Sequence, residues 1–209
     1  MSYLQRLLLS AALLAASAGV AGPLAANDFA DPTWPCVQRK VDRLSPGLMW
    51  PEPLTEAEFS TERQQAVTDL AEFLALRRVD LEAARAAVAE FSASHGHDMA
   101  LMQAVFSRVF DTLATRRTKI IKGIGKFSLS QISLSERIET ARGEMDAQMA
   151  QETPDFDRVD ALEEQLDWDQ RIFTDRQKTI TYLCETPTLL EKRLYALAQM
   201  LHEAGQGGG

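Results

Sequence analysis

The sequence predicts an all-α fold: an antiparallel helical bundle with a long two-helix hairpin and an irregular Pro/Trp-rich strap at the N-terminal side. Three observations carry this prediction. From residue 55 to residue 204 apolar side chains recur at steps of three and four, with no strand-like alternation of any length. Between residues 117 and 183 the mean step is about 3.5, the spacing of supercoiled helices, and Thr153-Pro154-Asp155 interrupts it once. Residues 27–54 carry five prolines and two tryptophans, and Trp34 and Trp50 each precede a proline, which pushes them toward extended backbone.

Taken in order, the chain opens on a short basic region at Arg6 and an apolar run from residue 7 to residue 16. Ala16-Ser17-Ala18, or Leu24-Ala25-Ala26, fits the small-residue pattern of a cleavage site. Residues 1–26 are therefore expected to be a signal peptide. An uncleaved anchor is the competing reading, weakened by Gly19, Gly22 and Pro23 in the run. Residues 27–204 form one expected domain, since 209 residues at 45% hydrophobic content suit a single core. Within it, residues 27–54 are the strap and residues 55–116 are shorter helices. Thr55 and Glu58 make a capping box, flanked by a Leu54–Phe59 staple. Leu81, Ala84, Val88 and Phe91 stripe a second helix, which Gly96 ends before Asp98 caps a third.

The long hairpin is expected over residues 117–183. Positions facing each other across its turn should have numbers summing to about 307 if the turn centres near Thr153. Thr186 and Pro187 then begin a last helix over residues 187–204, and residues 205–209 read as a disordered tail.

Cys36 and Cys184 are the only two cysteines. In a chain with a signal peptide they are expected to pair. Neither belongs to a C-x-x-C or haem-attachment motif, so redox catalysis and covalent haem are disfavoured. The net charge of -8 and the shortness of Arg77-Arg78 and Arg116-Arg117 argue against a basic patch, and hence against nucleic acid.

Candidate chemistry is sparse. His95, His97, Met99 and Met102 form a cluster of imidazoles and thioethers of the kind that suits copper. Turn, cap and core roles account for the same residues. Glu-x-x-His pairs, nucleophile elbows, phosphate loops and zinc-protease helices are absent from the sequence, so no cofactor and no enzymatic activity are expected. Gln131, Asp169 and Arg176 fall at seam positions of the hairpin. They are expected to set its register, with Gln131 facing Arg176 and Asp169 facing Ile138. His202 has no role in this reading.

These features point to an exported, non-enzymatic interaction protein of the periplasm, an accessory or assembly factor with a protein partner. After signal cleavage it has no membrane segment. The alternative is a periplasmic binding protein for copper or a small apolar ligand.

Overall fold

A computed structural model describes residues 31–207; the expected signal peptide lies outside the described residues. The described chain is all-helical, with no strand among these residues. Four α-helices follow the strap: α1 Thr61–Leu74, α2 Leu81–His95, α3 Met99–Met149 and α4 Phe156–Gly205, with a 3-10 turn at Pro46–Leu48. α3 and α4, with 51 and 50 residues, each run for about 75 Å at about 1.5 Å per residue. They pack antiparallel along their length, while α1 lies on α3 and α2 on α4 at one end of the hairpin.

Helix starts are set by side-chain caps. Asp80 accepts from Ala83 N, Asp98 from Ala100 N and Leu101 N, and Asp155 from Arg158 N. The first helix starts later than its capping-box signature suggests. Ser60 caps it, accepting from Arg63 N, whereas the Thr55 carbonyl accepts from the Gln103 side chain of α3. That contact holds residues 55–60 against α3 as irregular chain.

Two expected helix boundaries do not exist. Nothing between Leu113 and Arg117 breaks a helix, so the third short helix and the first hairpin arm are one element, α3. α4 likewise runs straight through Pro187. The buried proline removes the backbone donor that Leu183 O would otherwise take, and the helix continues past it. The expected tail also begins too early. Gly205 belongs to α4, and a Cβ there would come within 2.9 Å of the Met99 side chain.

The core has two parts. At the four-helix end, Leu101, Val105, Phe106 and Val109 of α3 meet Leu194, Leu197 and Leu201 of α4 and the inner faces of α1 and α2. Trp50 is buried there and stacks on Phe106 at 4.8 Å between ring centroids. Toward the turn, a narrower seam of Leu134, Ile138 and Ala141 packs on Leu162 and Leu166. Between the two, the strap lies on the hairpin. Thr118 and Ser128 of α3 donate to Asp42 O and Pro32 O, and Gly125 leaves room for Thr33 O, 3.4 Å from where a Cβ would stand. The strap turns the buried face of α3 toward itself here. Ile121 and Ser128 are buried, and Ile120 and Phe127 only partly so.

Candidate functional site

The expected disulfide is present. Cys36 and Cys184 are bonded, with Cα atoms 5.5 Å apart, pinning the strap to α4. Beside the bond, Arg117 is buried and donates both to Glu191, at 2.6 Å, and to Val41 O of the strap. Within the strap, Asp31 accepts from Thr33 and Lys40, and these bonds hold its carboxyl down at about 2.

The polar seam differs from its expected form. The register is close to expectation, since Arg137 meets Asp169 and Ser130 meets Arg176, pairs whose numbers sum to 306. Arg176 is nevertheless exposed, donating to Ser130 Oγ at 3.1 Å rather than meeting Gln131. A guanidinium at the seam's edge reaches water more cheaply than it desolvates. Gln131 is buried, donates to Phe173 O, and leaves its own carbonyl oxygen without a partner. Asp169 is also buried and takes two hydrogen bonds, of 2.7 and 2.6 Å, from Arg137. The Arg137 hydrogen bonds hold its pKa below the usual carboxylate value, against the effect of burial. Sequence reasoning missed Arg137, although it adjoins Ile138, the residue expected opposite Asp169. A long cation one position from a buried acid was the available signal.

The histidine–methionine cluster is divided among structural roles. Met102 is wholly buried in the core, and Met99 packs on Gly205. The His95 ring lies 4.7 Å from Phe91, and His97 Nδ1 is 2.8 Å from Ala204 O. Among the described residues no group of three or more His, Cys, Asp or Glu is arranged to hold a metal ion. His202 does have a place in the fold. It meets the Trp50 ring edge-on and lies 2.8 Å from Glu52, fastening the end of the strap to α4.

Two surface features were not visible as linear motifs. Trp168, Tyr182 and Leu189 of α4 are 63%, 73% and 56% exposed and stand at multiples of seven residues, so they share one stripe of the helix. A hollow beside Trp168 is lined by Gln165 and Arg171, and another, between α1 and α2, by Leu70, Phe73 and Phe91.

The second feature is charge. Around the middle of the hairpin, the strap (31–44), the α1–α2 connection (75–80), residues 112–135 of α3 and residues 170–193 of α4 hold 15 lysines and arginines and six acidic residues. Contacts bring these segments to one level: Arg116 donates to Ala75 O and Arg193 to Val79 O and Leu74 O, beneath the strap bonds already described. The hairpin tip, residues 136–169, holds three basic and twelve acidic residues. A belt of net +9 therefore adjoins a tip of net -9 in a chain of net -8. The absence of a basic patch, inferred from short linear runs, is corrected: folding assembles one from four segments.

Among the described residues no helix is long and apolar enough to cross a membrane. Comparison with known protein families, with curated proteins and with solved structures finds no match for this chain.

Proposed function

We propose that this is an exported, non-enzymatic helical interaction protein, an accessory or assembly factor of the periplasm that offers the outer face of its hairpin to a protein partner. The exposed stripe of Trp168, Tyr182 and Leu189 on α4 carries the reading. Large apolar side chains held in water on a rigid helix are the usual anchors of helix-to-helix recognition. The cysteine bond supports the exported location, because such bonds persist outside reducing compartments.

The test is site-specific photocrosslinking in the native envelope, with the reactive group placed at Tyr182 or, as control, at the exposed Glu82 of α2. The expected result is one discrete adduct from Tyr182 with a protein other than this chain, lost on Trp168→Ala with Leu189→Ala, and none from Glu82. Equal labelling from both positions would dismiss the stripe, and a protein retained in the cytoplasm would dismiss the exported reading.

A further inference from the structure

We infer that the protein self-associates as a closed antiparallel dimer, the acidic hairpin tip of each copy seated on the basic belt of the other. This inference goes beyond the accessory-protein reading and does not depend on it.

Three observations carry it. The first is charge complementarity within one chain. The belt has 15 cations to six acids and the tip twelve acids to three cations. Lys119, Lys122, Lys126, Arg39, Arg43 and Lys178 of the belt are all exposed, as are Glu136, Glu163 and Asp167 of the tip. Segregation of this kind is not needed to fold the hairpin, whose seam is apolar apart from Ser128, Gln131 and the pairs Arg117–Glu191 and Arg137–Asp169. It does cost self-repulsion within each zone.

The second is symmetry. Belt and tip are neighbouring zones along one hairpin. Two copies laid antiparallel about a twofold axis midway between the zones make both contacts at once, and the assembly closes at two. The four-helix ends, which carry three basic and eleven acidic residues, then project from opposite ends and never oppose each other.

The third is size. A tip of about 14 residues on each arm is about 21 Å long and about two helix diameters, roughly 20 Å, across. One such contact is on the order of 400 Å², and the two that symmetry supplies reach about 800 Å² per partner, the area of a standard stable interface. Apolar side chains stand among the charges on both sides. Met149 and Phe156 lie on the tip, and Val37 on the belt, all more than half exposed.

Charge exchange tests this with the chain as it exists without its expected signal peptide. By sedimentation, the protein should be a dimer at about 0.01 M ionic strength, where screening reaches about 30 Å. The dissociation constant should rise about tenfold or more by about 0.5 M. A belt-reversed variant (Arg39→Glu, Arg43→Glu, Lys119→Glu, Lys122→Glu, Lys126→Glu, Lys178→Glu), whose belt becomes net -3, and a tip-reversed variant (Glu136→Lys, Asp146→Lys, Asp160→Lys, Glu163→Lys, Glu164→Lys, Asp167→Lys), whose tip becomes net +3, should each be monomeric, with unchanged helical circular dichroism. Mixed, they should form a one-to-one heterodimer, because each belt then meets a tip of opposite sign. A monomer at low ionic strength, a dimer indifferent to both reversals, or a mixture that stays monomeric would each overturn the inference. Monomeric protein held on a polyanion resin at low ionic strength would also overturn it, and would assign the belt to an external polyanion.

Discussion

Arg137 enters the hairpin seam from its solvent edge, with its side chain more than half exposed while Asp169 beneath it is buried. Since the folded carboxyl has its pKa lowered, the pair stabilises the protein above the ordinary carboxylate value of about 3.9. That contribution disappears as pH falls through the folded value. Arg137→Met should therefore lower the urea midpoint at neutral pH, and its deficit relative to the parent should close in acid. A deficit that stays constant with pH would assign the loss to packing instead. Gln131 gives the opposite sign to the one its sequence position suggests. Its carbonyl oxygen is already buried without a partner, and its only hydrogen bond is a 3.2 Å donation to Phe173 O. With Arg176 out in solvent, Gln131→Leu strands no charge. It should change stability by no more than about 1 kcal/mol, toward the more stable side, because it removes an unsatisfied polar atom from an apolar layer.

At the scale of elements, periodicity and caps carried most of the information. Asp98 as a cap, the turn at Thr153-Pro154-Asp155 and the seam from Leu134 to Leu166 were legible, because they depend on local chemistry and a repeating face; Asp155 as the cap of α4 was not read. Boundaries that tertiary contacts decide were not. Thr55 loses its capping role to a side chain 48 positions away, and Pro187 stays inside α4. The Gly123-Ile124-Gly125 segment separates the two kinds of cause. Nothing lies within 4 Å of a Cβ added at Gly123, whereas one at Gly125 meets the Thr33 carbonyl of the strap at 3.4 Å. Gly123→Ala should raise stability by about 1 kcal/mol, the helix propensity difference. Gly125→Ala should gain clearly less, or lose, as the strap must yield. Equal gains in thermal denaturation would mean that the strap does not rest on α3 at this point.

For the molecule as a whole, the strap joins what the hairpin alone would leave separate. One end is buried at Trp50 in the four-helix core, the middle is bonded at Cys36, and between them Arg117 reaches Val41 O. The strap buries few apolar side chains of its own, so the covalent bond is the main restraint on it. Replacing both cysteines by serine should lower the free energy of unfolding by about 2–4 kcal/mol in the chain-entropy account. Amide exchange should then accelerate around Ile121 and Ile124 while the protection at Leu134 and Ile138 persists. Uniform acceleration would show that the hairpin unfolds as one unit with or without the strap. The sequence identified both cysteines but not the belt around them, since four segments separated by up to about 150 positions contribute charges that become neighbours only on folding.

The bond between Cys36 and Cys184 also constrains how the molecule is made. Its two sulfurs are 148 positions apart, so a chain threaded from its N-terminus through a narrow pore presents Cys36 long before Cys184 arrives. During that interval the first thiol has no mate in its own chain. Once the second emerges there is one pairing to make, because no third cysteine exists to misdirect it. Biogenesis then calls for an electron acceptor and time, but for no isomerase to reshuffle wrong bonds.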